Sequence, residues 1–326
     1  MKFWYRPLRW FDAIVIMLLA PLMFIYAGLT SIRRPQYKAG QRPICDSSAP
    51  VVVVGNITVG GTGKTPVTLA LVKALQLRGL RPAIISRGYG AHCVDFPRVV
   101  DVNDNAAEVG DEPLLLALRS NCPVLIDPER CRGIKFLNEN FAPDVIVSDD
   151  GLQHYAMGRA FEIVVVDSVR GFGNGFLLPL GPLREPISRL DSVDAVFHNG
   201  DEQQGFVLQP TAVVNVKSGE RLDIKEFLMQ KDLVAVAGIG NPRRFFQHLE
   251  LHGFKGESKA FADHHPYLES DFKFAGPRQI LMTEKDAVKC RTFSISQRMW
   301  YVEVDAVWHN SHFDEVVERL CEKLGD

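Results

Sequence analysis

The segment GGTGKT, residues 60–65, contains the residue types that hold a chain of phosphates. Glycines allow backbone N–H groups to approach phosphate oxygens, a lysine neutralises their charge, and a threonine hydroxyl can ligate Mg²⁺. The sequence therefore predicts a nucleotide site in which Lys64 reaches the β- and γ-phosphates and Thr65 ligates the metal ion. The residues of the predicted loop are Thr58, Val59, Gly60, Gly61, Thr62, Gly63, Lys64 and Thr65.

This loop departs from the general motif G-x-x-x-x-G-K-[ST], because Thr58 stands where the first glycine is expected. The context of the loop nevertheless fits. The uninterrupted run VVVV at 51–54 predicts a strand buried on both faces, and apolar residues at helical spacing follow the loop. The three glycines of the loop favour a phosphate site over a glycine-rich turn with a chance Gly-Lys-Thr, the alternative interpretation. We expect all three glycines to supply positive φ.

A second group of polar residues follows another predicted strand. The run VIV at 145–147 leads into Asp149 and Asp150. Ligands of open α/β sheets bind at the carboxyl ends of strands, and an aspartate there holds Mg²⁺ in P-loop proteins. Two adjacent carboxylates also repel each other unless a cation lies nearby. The sequence predicts that Asp149 and Asp150 complete the metal site; a solvated Asp-Asp-Gly turn is the alternative.

Seven ordered motifs carry a resemblance that covers the chain from its N-terminus to about residue 290. They closely resemble the tetraacyldisaccharide 4′-kinase family, the membrane-bound lipid A kinases of Gram-negative bacteria, whose phosphate loop similarly has threonine at position 58. The resemblance implies transfer of the γ-phosphoryl group of ATP to the 4′-hydroxyl of a tetraacyldisaccharide 1-phosphate, giving lipid IV-A, with ATP and Mg²⁺ as cofactors. The motifs are GNITVGGTGKTPV, ISRGYG, VGDEPLLLA, SDDGLQH, LLPLGPLREP, FADHHPY and LMTEKDAVK.

The resemblance also implies catalytic roles for residues outside the loop. Asp111 matches the carboxylate that accepts or orients the proton of the acceptor hydroxyl, and His264 matches the histidine that supports it, with His265 as the neighbouring choice. Arg184 of GPLREP matches an arginine near the bound phosphates, and Glu185 belongs to the same motif. Each residue has a plainer alternative: a helix N-cap for Asp111, a turn for the two histidines, and a solvated or lipid-phosphate-binding cation for Arg184. The predicted catalytic residues are Asp111, His264, Asp149, Asp150 and Arg184.

The motif LMTEKDAVK, residues 281–289, follows a predicted strand but has no assigned role. Its Thr283, Lys285 and Asp286 are faintly similar to the base-reading element of GTPases, although the spacing and residue types differ. We expect this element to be either close to the nucleotide or structural.

The N-terminus is basic and apolar. Residues 1–42 contain seven lysines and arginines against Asp12 alone, whereas the whole chain has a formal net charge of −2. Residues 13–29 carry no charge, but at about 1.5 Å per residue they reach only roughly 25 Å, and Pro21 interrupts them. These features predict attachment to an anionic inner-membrane phospholipid surface, with the catalytic body on the cytoplasmic face. A cleaved signal peptide and a buried core helix are the alternatives, and the choice between a crossing and an in-plane helix stays open.

Six scattered cysteines without a C-x-x-C pair predict reduced thiols in a cytosolic protein. The acidic remainder of the chain excludes a nucleic-acid groove, and no obligatory protein partner is inferred. The remaining partner is the lipid A disaccharide precursor that the resemblance implies.

Buried runs alternate with helical patterns along the chain. This rhythm predicts an α/β fold: a P-loop NTPase-like parallel sheet with helices on both faces, a second, smaller α/β domain and an N-terminal membrane-anchoring helix. The predicted boundaries are residues 1–43 for the anchor, 44–200 for the P-loop kinase domain, 201–219 for a connector and 220–326 for the C-terminal domain. Two other functions remain as alternatives: a membrane-associated P-loop NTPase acting as a regulatory or targeting switch, and a soluble kinase of a small molecule.

Overall fold

A computed structural model describes residues 2–6, 9, 12–93, 95–203, 205–229 and 232–325 of the chain. Residues 1, 7, 8, 10 and 11 of the predicted anchor, residue 94 of the predicted P-loop domain, residue 204 of the predicted connector, and residues 230, 231 and 326 of the predicted C-terminal domain lie outside this description. The helices are α1 (Asp12–Lys38), α2 (Lys64–Leu77), α3 (Ala106–Val109), α4 (Asp111–Ser120), α5 (Arg130–Phe141), α6 (Ile224–Leu228), α7 (Pro242–Leu251), α8 (Glu284–Cys290) and α9 (His312–Gly325). The strands are β1 (Val51–Gly55), β2 (Pro82–Ser86), β3 (Arg98–Val99), β4 (Val124–Ile126), β5 (Val145–Asp149), β6 (Phe161–Asp167), β7 (Ala195–Asn199), β8 (Gly205–Asn215), β9 (Arg221–Leu222), β10 (Leu233–Ala237), β11 (Glu257–Ala260), β12 (Gln279–Thr283) and β13 (Met299–Val307).

The chain forms two compact units that do not follow sequence order. The first unit comprises residues 1–87, 127–207 and 308–326, and the second comprises residues 88–126 and 208–307. The grouping follows packing: α4 of the earlier segment packs on α8, so residues 88–126 belong with the later part of the chain. The boundaries that we predicted, at residues 44, 200 and 220, stay predictions.

The first unit is built on a parallel sheet with the strand order β7-β6-β1-β5-β2. The run at 51–54 forms the centre of this sheet and is fully buried, as its four consecutive valines predict. Because the strands are parallel, the residues that follow β1, β5, β6 and β7 meet at one edge. The predicted phosphate loop and the two aspartates lie at this edge, as expected for a ligand site in an open α/β sheet.

The second unit has its own parallel strands in the order β11-β10-β12-β13. Its core includes Phe227, Leu281, Phe272 and Met282, all buried. Short antiparallel pairs are added by β3 with β4 and by β8 with β9. The predicted mixed α/β fold with a parallel-dominated sheet is confirmed.

The N-terminal helix α1 is 27 residues long, which corresponds to about 40 Å. It continues through Pro21 and Pro35, so the predicted interruption at Pro21 is wrong. None of its most apolar window is buried, which excludes the alternative of a buried core helix for these residues. Within the described part of the chain α1 is the one helix that is long and apolar enough to cross a membrane, a criterion that signal sequences also meet.

The oxidation state of the cysteines differs from the prediction for one pair. Cys45 and Cys131 form a disulfide with a Cα–Cα distance of 5.8 Å, whereas Cys93, Cys122, Cys290 and Cys321 are free thiols. The expectation of six reduced thiols is therefore wrong for this pair. Sequence spacing gives no sign of it, since the two cysteines are 86 positions apart.

Candidate active site

The phosphate loop takes its shape from two of its three glycines. Gly60 and Gly63 have φ values of 100° and 98°, a conformation that L side chains rarely adopt. A Cβ atom on Gly63 would also lie 2.6 Å from Nδ2 of Asn199, so the site requires glycine there for a second reason. The expectation of positive φ is wrong for Gly61, where a side chain would meet open space. The loop therefore needs glycine most where it enters α2.

The first part of the loop is held by backbone contacts to the segment that carries Arg184. Through these contacts Thr58 occupies the place of the missing glycine without disturbing the loop, because its main chain is extended and paired. The contacts are a β-bridge between Thr58 and Leu183, a hydrogen bond from the Val59 N–H to the Pro182 carbonyl (2.9 Å) and one from the Arg184 N–H to the Ile57 carbonyl (2.7 Å).

Lys64, Asp150 and Arg184 form a charged cluster beside the loop. The Asp150 carboxylate lies 3.5 Å from Nζ of Lys64 and accepts hydrogen bonds of 3.1 and 3.2 Å from Nη1 of Arg184. Burial raises the pKa of Asp150, but the positive charges of Lys64 and Arg184 outweigh burial and lower it. The cluster keeps Asp150 ionised beside two cations of the kinds that bind phosphate oxygens in proteins.

Asp149 is buried and lies at the end of β5. Its Oδ1 accepts a 3.2 Å hydrogen bond from the Thr68 hydroxyl, and its backbone carbonyl accepts one of 3.3 Å from Arg130. Thr65 is half-buried as the second residue of α2. Within the described residues, no group of three or more His, Cys, Asp and Glu side chains forms a metal site. The predicted ligands are instead a hydroxyl and two carboxylates, which are oxygen donors of the kind that Mg²⁺ prefers.

The structure joins Gln153 of SDDGLQH to Glu185 of GPLREP, the motif that the resemblance places near the bound phosphates. Nε2 of Gln153 donates to Oε1 of Glu185 over 2.7 Å. Oε1 of Gln153 accepts a hydrogen bond from Arg184 over 3.3 Å. The Tyr155 hydroxyl also donates to Glu185. Glu185 is buried and holds Gln153, which in turn contacts Arg184. The signal in the sequence was the motif SDDGLQH, in which Gln153 follows the aspartate pair closely.

Asp111 begins α4 in the second unit and is buried. The N-cap of this helix is Gly110, whose φ is 94°, and not Asp111. A Cβ on Gly110 would lie 2.8 Å from the carbonyl oxygen of Tyr89, so glycine is required at this turn. The N-cap interpretation of Asp111 is therefore wrong, although its Oδ1 accepts a 2.9 Å hydrogen bond from the N–H of Glu112. The other carboxylate oxygen of Asp111, Oδ2, contacts a histidine.

His264 is the histidine that contacts Asp111. Its Nδ1 lies 3.0 Å from Oδ2 of Asp111, whereas Nε2 of His265 lies 3.0 Å from Oδ2 of Asp271. The hydrogen bond to Asp111 raises the pKa of His264. Burial raises the pKa of Asp111, but the hydrogen bond from His264 and the positive charge of Lys285 lower it overall. The geometry thus couples a partly exposed histidine to an ionised carboxylate, an arrangement suited to accepting a proton.

A parallel α/β sheet that carries a glycine-rich phosphate loop, with carboxylates at neighbouring strand ends, defines the class of P-loop nucleotide-binding proteins. Comparison with known proteins identifies the family. The family model for Tetraacyldisaccharide-1-P 4′-kinase matches residues 15–322. The chain belongs to this family, so the predicted resemblance and the predicted enzyme class, a phosphotransferase with an alcohol group as acceptor, are confirmed.

The chain is similar in sequence to relatives of about the same length. It is 45% identical over 314 residues to the tetraacyldisaccharide 4′-kinase of Pseudomonas aeruginosa strain PAO1, covering 93% of this chain and 94% of that protein. It is 48% identical over 295 residues to the enzyme of Pseudomonas fluorescens, covering 89% and 88%. Among solved structures, the "apo" form of LpxK from Aquifex aeolicus in complex with ATP has a TM-score of 0.78 at 25% identity, covering 94% of this chain and 98% of that one.

Proposed function

We propose that this chain transfers the γ-phosphoryl group of ATP to the 4′-hydroxyl of a tetraacyldisaccharide 1-phosphate, giving lipid IV-A for lipid A biosynthesis. The family and the names of the relatives support the substrate, and the structure from Aquifex aeolicus, described as a complex with ATP, supports the donor. The observation that carries the proposal is the Asp111–His264 pair. A sugar hydroxyl is a poor nucleophile that needs a positioned base, and a carboxylate coupled to a histidine is such a base.

The proposed reaction is a direct displacement at the γ-phosphorus. The bond from the acceptor oxygen to phosphorus forms while the bond from phosphorus to the bridging oxygen breaks, and ADP leaves with the electron pair. The hydroxyl proton passes to Asp111. Phosphoryl transfer depends mainly on positioning and on neutralising charge, which is the role we assign to Lys64 and Arg184. Asp150, which pairs with both cations, keeps them oriented before ATP enters.

Thr65, Asp149 and Asp150 are the residues we propose to hold Mg²⁺. Their oxygens fit a hard cation that usually takes one or two carboxylates and completes its shell with water and phosphate. The metal ion would neutralise charge on the β- and γ-phosphates. The hydrogen bond from Thr68 to Asp149 orients that carboxylate, so the ligand set is supported by a neighbouring side chain.

We further propose that α1 attaches the enzyme to the cytoplasmic face of the inner membrane. Its exposed side chains include Met17, Leu18, Phe24 and Leu29, each more than 60% exposed. An apolar surface of this kind on a single helix is typical of a membrane-binding segment. The basic residues at both ends of the helix would contact anionic headgroups. Attachment at this surface gives the enzyme access to an acceptor that resides in the bilayer.

The deciding experiment incubates the full-length protein with γ-labelled ATP, Mg²⁺ and the disaccharide 1-phosphate lipid in detergent micelles. We expect label in the lipid product and a phosphate at the 4′ position by mass spectrometry and NMR. Labelled inorganic phosphate without a labelled lipid, under conditions where ATP binds, would contradict the kinase proposal and favour the NTPase alternative. Label on a water-soluble acceptor after deletion of residues 1–38 would instead favour a kinase of small molecules.

A further inference from the structure

The unassigned motif TEKDAVK lies against the Asp111–His264 pair. Its residues form the end of β12 and the helix α8, which packs on α4. Nζ of Lys285 lies 3.3 Å from Nε2 of His264 and 2.8 Å from Oε1 of Glu112. One ammonium group therefore joins the far side of the imidazole ring to the residue that follows Asp111.

We propose that Lys285 is a positioning residue of the proposed kinase: it donates a hydrogen bond to Nε2 of His264 and thereby fixes the ring so that Nδ1–H donates to Asp111. A lysine ammonium group has three donors and no acceptor. Nε2 must therefore carry the lone pair in this contact, which leaves the ring proton on Nδ1. Of the two neutral tautomers, only this one can donate to Oδ2 of Asp111, which lies 3.0 Å away.

Glu112 keeps Lys285 in its donating form. Burial lowers the pKa of Lys285, but the negative charges of Glu112 and Asp111 outweigh burial and raise it. Lys285 therefore stays charged and cannot act as an acceptor toward His264. Since Glu112 and Asp111 are consecutive residues at the start of α4, the same turn of helix supplies both the base and the anchor for the lysine.

The remaining polar residues of the motif hold the backbone beneath His264. The Thr283 hydroxyl caps α8 by accepting from the N–H of Asp286. Oδ2 of the buried Asp286 accepts a 2.9 Å hydrogen bond from the Gly238 N–H, and the Gly238 carbonyl accepts one of 3.1 Å from the His264 N–H. His264 itself has a left-handed φ of 56°. The motif thus fixes both the main chain and the ring of His264, a different role from base recognition.

The charged surroundings of His264 allow a direct test. Removing the charge of Lys285 removes a contribution that lowers the pKa of His264, so the ring should hold its proton to a higher pH. Lys289, one turn further along α8, lies 3.9 Å from Asp111 and pairs with Asp286 over 3.0 Å, and it serves as the comparator. The groups that face the Asp111–His264 pair are Glu112, Asp263, Lys285, Lys289 and the ring of Tyr89.

The experiment compares Lys285→Met, Lys285→Arg and Lys289→Met in the full chain with ¹⁵N-labelled histidine, the His264 signals being assigned by their loss in His264→Gln. We expect the wild-type ring to be the Nδ1–H tautomer when neutral. In Lys285→Met we expect the other tautomer to become populated and the titration of His264 to move to higher pH. We expect Lys285→Arg to restore the wild-type behaviour in part, and Lys289→Met to leave the tautomer unchanged.

Kinetics provide the second measurement and depend on the proposed function. We expect Lys285→Met to lower kcat by about 10- to 100-fold, the usual range for residues that orient a functional group, with little change in the KM for ATP. The acid limb of the pH profile should move upward with the titration of His264. A purely structural role would lower the amount of active enzyme without moving this limb.

The two measurements separate the possible failures. If wild-type protein forms no phosphorylated lipid, the proposed function fails, while the NMR titration still tests the contact with Lys285. An unchanged tautomer and titration in folded Lys285→Met would overturn the inference, as would an equal change in Lys289→Met. If Lys285→Met does not fold, Glu112→Gln provides the test, because it weakens the hold on Lys285 and should produce a smaller change in the same direction.

Discussion

His264 lies 3.0 Å from Asp111 although the two residues are 153 positions apart in the chain. His265, its neighbour, is directed instead to Asp271. The sequence motif DHHPY left the choice between the two histidines open, because adjacent residues in a loop point in directions that only the backbone decides. The left-handed φ of His264 gives the ring its direction.

Replacement of Asp111 by alanine tests the proposed base. We expect kcat to fall roughly 10²- to 10⁴-fold, the range typical of a general base, while the affinity for ATP stays close to that of the wild type. Steady-state kinetics and ATP binding by calorimetry measure the two quantities. Asp271→Ala, which removes the partner of His265, is the matched control. An unchanged rate with lost ATP binding would remove Asp111 from the base role.

Separate alanine substitutions of the two histidines test the pairing. We expect His264→Ala to lower kcat by at least about 10-fold, since Asp111 loses the hydrogen bond that orients it. We expect His265→Ala to change kcat by less than about threefold, because its partner Asp271 lies outside the proposed site. Equal losses in both variants would mean that the loop is needed as a whole and would argue against a specific role for His264.

The pH dependence follows from the raised pKa of His264. Asp111 is the stronger base when His264 is neutral, so kcat/KM should fall as the pH drops through the pKa of His264. This fall should occur at a higher pH than the ordinary pKa of histidine, 6.5. The pH profile of wild-type enzyme beside that of His264→Gln measures it. If kcat/KM of His264→Gln falls at the same acidic pH as that of the wild type, a group other than His264 causes the fall.

The raised pKa of His264 also makes stability depend on pH, but stability changes in the opposite direction to activity. A raised folded-state pKa stabilises the folded protein fully below the unfolded-state pKa of histidine, and this contribution disappears as the pH rises through the folded-state value. The difference in melting temperature between wild type and His264→Gln should therefore be larger at acidic pH. His264 is partly exposed, so we expect solvent screening to keep the difference small.

Lys64→Ala tests the phosphate loop. We expect transfer to fall by at least about 10²-fold, because the loop loses the cation that neutralises the β- and γ-phosphates. Lys73→Ala is the matched control, since Lys73 lies on the same helix α2 with its side chain exposed. Initial rates at saturating ATP provide the measurement. Near-normal turnover in Lys64→Ala would show that the loop does not bind the transferred phosphate.

Much of the fold could be predicted from the sequence, because buried strands leave uninterrupted apolar runs. The runs at 51–54 and 145–147 became β1 and β5, which end one and two residues later than the runs. Short strands were missed. Most of β11, for example, is exposed and has a polar sequence, so it lacks the pattern that marks a buried strand.

The candidate site, like the fold, could be predicted from the sequence only in part. The loop and the acidic pair could be found because glycine, lysine and aspartate have specific chemistry at fixed spacing. The contacts of Lys285 with His264 and Glu112 could not, because they join three separate segments of the chain and depend on how α8 packs on α4. The disulfide between Cys45 and Cys131 could not be predicted either, because it joins two segments that are 86 positions apart in the chain.

The backbone contacts around Thr58 have a consequence for how the enzyme receives its nucleotide. Because the main chain at Thr58 is bridged to Leu183, the strand that introduces Lys64 and the segment that carries Arg184 form a single piece of structure. We expect Lys64 and Arg184 to reach the phosphates from this single piece of structure, in which backbone hydrogen bonds fix the spacing between the two segments.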